Sequence, residues 1–147
     1  MSNRVLFFVQ GRPRSFSLVA NMPGRSFKPK HLKTWQGRVA MVAQAAIAKS
    51  GITLDDAGPY RVDLVFCFTT KKTKTISWFL GRPDSDNLRK AVQDAMQDLL
   101  PDDSRVVLGE TAKIYHPTLE GVFVFIDAKP DCPLVELERM GFSMDSL

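Results

Sequence analysis

At 147 residues the chain has room for one domain around one core, and its 20 Lys/Arg against 16 Asp/Glu leave a net charge of +4. Two cysteines are too few for a disulfide framework or a zinc ligand set, and they read as free thiols in a reducing compartment. No apolar run is long enough to span a bilayer, and Met-Ser-Asn-Arg-Val-Leu-Phe-Phe at the start lacks the length and cleavage site of a secretion signal, so the expected location is the cytosol.

Val5 to Gln10 reads as a buried strand, and Gly11-Arg-Pro-Arg and Asn21-Met-Pro-Gly are turn signals enclosing a short strand at Phe16 to Ala20. Lys33 to Lys49 has helical spacing, with Trp35, Val39, Val42, Ala46 and Ile47 toward the core and Ser50-Gly51 closing it. From Tyr60 to Thr69, Val62, Leu64, Phe66 and Phe68 alternate on one face, as in a half-buried strand. After Pro83 a turn becomes a helix in which Leu88, Ala91, Val92, Ala95, Met96 and Leu99 recur at helical spacing up to Pro101. Two more strands, Arg105 to Tyr115 and Gly121 to Ala128, are expected to pair as a hairpin across His116-Pro-Thr-Leu-Glu120. Residues 1–128 thus read as one α+β domain, a mixed sheet of about four strands with two main helices, and 129–147 as an acidic, loosely ordered tail.

Chemistry concentrates between Gly81 and Asp103. Asp84 and Asp86 lie where the turn becomes the helix, with Lys90 one turn beyond Asp86 on the same face, and Asp102-Asp103 lies at the following helix-to-strand junction. Carboxylates suit a hard cation such as Mg²⁺, which takes oxygen ligands and is completed by waters and substrate phosphate. The plainer alternative is that an acid at a helix start caps free N–H groups, which accounts for one of Asp84 or Asp86 but does not require both acidic pairs.

Taken whole, Pro83-Asp-Ser-Asp-Asn-Leu-Arg-Lys-Ala-Val-Gln-Asp-Ala followed by Asp102-Asp-Ser-Arg-Val resembles the RusA family of Holliday junction resolvases, whose signature is Asp-x-Asp-Asn-Leu-x-Lys-Ala and then Asp-Asp-x-x-Val. The motif covers residues 83 to 106, and the order of elements around it agrees. At Gly11-Arg-Pro-Arg-Ser15 the chain departs from members carrying a Pro-Pro-Ser-x-Asn segment. The resemblance implies a RusA-like fold and a structure-selective endodeoxyribonuclease acting on four-way junctions in recombination and repair, in a bacterial or phage-infected cell. Mg²⁺, with Mn²⁺ as a substitute, would be held by Asp84, Asp86 and Asp103, with Asp102 a fourth ligand or a turn residue. Lys90 would stabilise charge on the phosphate or the leaving oxygen, its alternative being a surface ion pair with Asp86 or Asp94. Asn87 would orient a ligand or cap the turn.

A helix from Asn87 to Leu100 would be about 20 Å long at about 1.5 Å per residue. Three further residues reach back only about 10 Å. Asp103 therefore does not meet Asp84 and Asp86 in one chain, and two copies with these helices antiparallel about a two-fold axis would share two composite sites.

Charge distribution fits a nucleic-acid partner. Residues 1–90 carry 16 Lys/Arg against 5 Asp/Glu, and residues 91–147 carry 4 against 11. Lys71, Lys72, Lys74 and Arg82 adjoin Trp78 and Phe79, a mixture suited to phosphate contact and base stacking, although the two aromatics equally suit a core or a dimer interface. Lys28, Lys30 and Lys33, with Arg25 and Arg38, form a second basic stretch for junction arms. His31 and His116 have no partner pattern for triad or metal chemistry. Other classes are a glycosyltransferase, disfavoured by the short chain without a Gly-rich nucleotide loop, a non-catalytic DNA-binding module, and an RNA-directed or less selective nuclease using the same acids.

Overall fold

A computed structural model describes residues 3–54, 58–72, 74–100, 102–141, 143 and 145, with the backbone alone at 19–22, 135 and 136. The strands are β1 (Arg4–Gln10), β2 (Val19–Met22), β3 (Arg25–Phe27), β4 (Tyr60–Phe68), β5 (Ser77–Trp78), β6 (Val106–Leu108), β7 (Thr111–Tyr115) and β8 (Gly121–Asp127). The helices are α1 (Lys30–Ser50), α2 (Ser85–Ala95) and α3 (Pro133–Arg139), the last falling inside the expected acidic tail. Among the described residues the main sheet runs β1-β8-β4-β7-β5, with β6 pairing the start of β4, and β2-β3 forms a separate ribbon.

Alternation along β4 sets the core. Tyr60, Val62, Leu64, Phe66 and Phe68 are buried on one face, level with Val5, Phe7 and Val9 of β1 and Val122, Val124 and Ile126 of β8. Onto that face α1 lays Trp35, Val39 and Ala43, and α2 lays Leu88 and Val92. Burying a Leu- or Phe-sized side chain is worth about 1.5–3 kcal/mol, so this layer drives folding. The opposite face, away from α1 and α2, is also apolar. Leu6 and Trp78 lie there at 66% and 71% exposure. Phe8 and Phe123 meet on the same face with ring centroids 4.7 Å apart and planes tilted by 45°.

Three expectations are corrected. The strands flanking 116–120 do not form a hairpin, because β4 lies between them, parallel to β7 and antiparallel to β8. As the strand with the most buried side chains, β4 gains more from two neighbours than an edge position allows. Next, the strand expected over 105–115 breaks at Gly109-Glu110. There the Gly109 Cα lies so close to the Val62 carbonyl and the Arg89 guanidinium that a Cβ would collide with both. Finally, α2 ends at Ala95, earlier than expected. The backbone then tightens to i→i−3 bonds, Gln97 N–H to Asp94 O and Leu99 N–H to Met96 O, which carry Met96 and Leu100 into the core. The expected terminator Pro101 lies outside the described residues.

Candidate nuclease site

Two elements bring the first acidic pair to the end of β4. Asp84 is the residue before α2, in extended conformation, and its carbonyl accepts the Leu88 N–H at 3.1 Å. It makes no side-chain cap bond, so the capping alternative is not realised at Asp84. Asp86 is exposed in the first turn, with Oδ1 accepting only the neighbouring Asn87 N–H at 2.9 Å. The preceding turn is pinned from β7. Lys113 Nζ donates to the carbonyls of Gly81 at 2.7 Å and Pro83 at 3.0 Å while lying 5.1 Å from the centre of the Phe79 ring.

The second pair lies at the other end of the sheet. Asp102 Oδ1 accepts the Ser104 N–H at 2.9 Å, capping the 3-10 turn Asp103–Arg105, and that bond holds its carboxyl below the usual range. Asp103 is exposed. Val106, three residues on, pairs with Tyr60 at the start of β4, whereas Asp84 shares a cavity wall with Phe68 at its end. Eight strand residues span about 26 Å. The 3-10 turn recovers only about 6 Å of that. Among the described residues no three acid, His or Cys side chains could hold one ion.

Lys90 does not pair with Asp86 or Asp94. Its ammonium lies 4.3 Å from the centre of the Phe16 ring, held in the loop that donates the Phe16 N–H to the Asn87 carbonyl at 2.9 Å. The ion pairs among the described residues are Arg4–Asp127, Arg12–Glu120 and Arg61–Asp63. Asp84, Asp86 and Asp103 are in none of them, so their oxygens stay available to a cation, the condition a Mg²⁺ site requires.

The sequence profile of endodeoxyribonuclease RusA matches residues 9–127. The chain belongs to the RusA endodeoxyribonuclease family. Comparison with curated proteins returned no match. RusA membership makes it a nuclease, and the profile takes in the whole main sheet except the first residues of β1.

Of the basic residues expected to meet DNA in this RusA chain, Lys71, Lys72 and Lys74 are exposed between β4 and β5, and Arg82 lines the cavity with Asp84. Lys30 and Lys33 are exposed on the first turn of α1, while Lys28 Nζ bonds Gln36 Oε1 at 3.2 Å. The aromatic pair divides. Phe79 is buried, its ring 4.5 Å from Phe68 and 4.8 Å from Tyr115, and Trp78 faces solvent on the sheet face away from α1 and α2, opposite Ile114. Cys67 is buried, which raises its thiol pKa, and Cys132 is exposed. Among the described residues no helix is long and apolar enough to cross a membrane.

Sequence reasoning missed Arg12, Arg14 and His31, which line the cavity with Asp84, and Lys113, which holds its turn. Gly11-Arg-Pro-Arg carries a turn signal and departs from the family segment, so it points to no site role, and an isolated lysine in a strand carries no local signal.

Arg12 is tied to the sheet by Glu120, whose Oε2 lies 3.1 Å from Arg12 Nη1 and also accepts the Thr69 hydroxyl at 2.7 Å. Burial pushes the Glu120 carboxyl up, but the two Thr69 bonds and Arg12 outweigh it and hold the group below its ordinary value. Such a carboxylate stabilises the fold above its unfolded pKa, and the gain disappears as pH falls through the lower folded value. Replacing Glu120→Gln is expected to lower stability at pH 7 by about 0.5–1 kcal/mol, discounted for solvent screening. As pH falls through that lowered value the difference should close, because the native carboxylate is then protonated too. Urea midpoints of both proteins between pH 3 and 7 check this.

Proposed function

We propose that this RusA-family nuclease is a homodimeric, Mg²⁺-dependent resolvase that cuts four-way DNA junctions with paired, symmetrical phosphodiester hydrolysis. The observation that carries the reading is the separation of unpaired Asp84 and Asp86 from unpaired Asp103 along β4, which calls for the third carboxylate from a second copy. A two-fold dimer then holds two equivalent sites, matching a substrate that itself has two-fold symmetry and needs two cuts. Asp84 and Asp86 of one subunit with Asp103 of its mate would hold the ion, and Asp102 would keep its cap and fix the turn that presents Asp103. Mg²⁺, when bound, supplies positive charge at the phosphoryl oxygens and an activated water for in-line attack. Lys90, one turn beyond Asp86 on α2 and steadied over Phe16, would supply a cation to the negative charge growing on the phosphate.

Cleavage of a synthetic junction and of linear duplex with the same arms, by the intact protein and by Asp86→Asn, tests the reading. Paired nicks on the junction alone, lost in the variant while binding persists, support it. Equal cutting of the duplex reduces it to an unselective nuclease, and binding without cutting to a DNA-binding module.

Lys113 acts here as a positioning residue. Removing its ammonium by Lys113→Met frees the Gly81 and Pro83 carbonyls and loosens the turn that aims Asp84. The expected result is a loss of about 10- to 100-fold in activity at limiting Mg²⁺, partly recovered at high Mg²⁺, with junction affinity unchanged. A Mg²⁺ titration of cutting measures it, and an unshifted titration would refute the positioning role.

A further inference from the structure

A cavity of about 440 Å³ at Asp84 continues into a second of about 530 Å³, the two sharing Arg12, Arg14 and His31 in their walls. The second runs toward α1 and adds Lys30, Trp35 and Arg38, and among the described residues no carboxylate lines it. Its polar groups are nearly all donors.

The wall is built in advance of any ligand. Arg38 Nη1 donates to the Gln10 carbonyl at 3.0 Å, which sets the guanidinium across the cavity floor. Gly11, at φ +129, allows this, because a Cβ there would stand 2.7 Å from Arg38 Nη1 and 3.5 Å from the Trp35 ring. The loop that carries Arg12 and Arg14 is tied at both ends, Gly11 N–H to Glu120 O and Phe16 N–H to Asn87 O, each at 2.9 Å. Glu120 neutralises Arg12 in part, while Arg14 has no partner among the described residues.

We propose that the second cavity is a backbone-phosphate subsite, seating a phosphodiester of the DNA strand next to the one cut at Asp84. This rests on the nuclease reading of the first cavity. An unpaired guanidinium, a fixed guanidinium and an ammonium line one space, and a phosphate diester is the anion that a strand entering at Asp84 carries there at a fixed spacing. The subsite sets strand register and polarity across the acids. Lys71, Lys72 and Lys74 line neither cavity and would contribute only diffuse attraction.

Neutral methylphosphonate linkages, placed singly along the cut strand of a junction, test the subsite in the Asp86→Asn background, where binding is read without cutting. One linkage near the cut point should weaken binding about tenfold, and that penalty should vanish when Arg14→Gln or Arg38→Gln is added. Arg14→Gln, which disturbs no hydrogen bond or ion pair among the described residues, should also lower the salt dependence of binding by about one counterion. If the sensitive linkages stay equally sensitive in both variants, the subsite is overturned while junction cutting by the intact protein leaves the nuclease reading standing. Competition by inorganic phosphate alone that relieves no phosphonate penalty would instead mark the cavity as a free-anion site and overturn the strand assignment.

Discussion

Mixing Asp103→Asn subunits with Asp84→Asn/Asp86→Asn subunits is expected to restore nicking that neither protein has alone. Each pure dimer lacks a ligand at both sites, and losing several kcal/mol of charge stabilisation costs about 10³-fold or more in rate. In a mixed dimer, Asp84 and Asp86 of the first subunit meet Asp103 of the second, which gives one complete site and one carrying all three substitutions. Random exchange makes about half of the dimers mixed. On a supercoiled plasmid with an extruded cruciform, the intact protein makes two cuts and a linear product, whereas the mixed dimer makes one cut and a nicked circle. Recovery of no nicked circle, with subunit exchange verified, would mean that each chain supplies its whole ligand set, and the separation of the acids along β4 would have to close by rearrangement.

Arg89→Met should lower stability by about 3 kcal/mol, the largest effect expected from any exposed-sequence residue in the motif. Arg89 reaches from α2 into the break between β6 and β7, donating to the carbonyl of Val62 at 2.6 Å, to that of Glu110 at 3.3 Å and to the hydroxyl of Thr111 at 3.0 Å. Removing it leaves carbonyls unpaired in a partly buried gap, at about 1–3 kcal/mol each. Burial draws the guanidinium pKa down and Asp63 raises it again, so the charge is retained at neutral pH. Because this contact clamps α2 to the sheet, the variant should lose cutting only near its lowered melting temperature, with the Mg²⁺ dependence of the folded protein unchanged. Melting curves together with a Mg²⁺ titration at low temperature separate this from the effect at Lys113. A melting temperature within about 1 °C of the parent would show that the break is held without Arg89.

The local pattern carried much of this protein. Alternation from Val62 to Phe68 and the helical spacing of Leu88, Ala91 and Val92 report burial directly, since each needs only the period of one element. The Asp-Ser-Asp-Asn motif and the later Asp-Asp are contiguous stretches that mark the family by residue type, whereas their separation, expected from a helix running to Leu100, is set in the structure by the length of β4. Tertiary structure decided what depends on neighbours distant in sequence. Strand order is one such case: local pattern could not show β4 inserted between β7 and β8, because pairing energy depends on which buried strand is available. The split of Trp78 from Phe79 is another, settled by which face of an edge strand meets Phe68 and Tyr115. Lys113, Arg89 and the Arg12-Arg14 wall acquired their roles in the same way. A side chain's partner across 20 or more residues is fixed by packing geometry, which leaves no periodic trace in the chain.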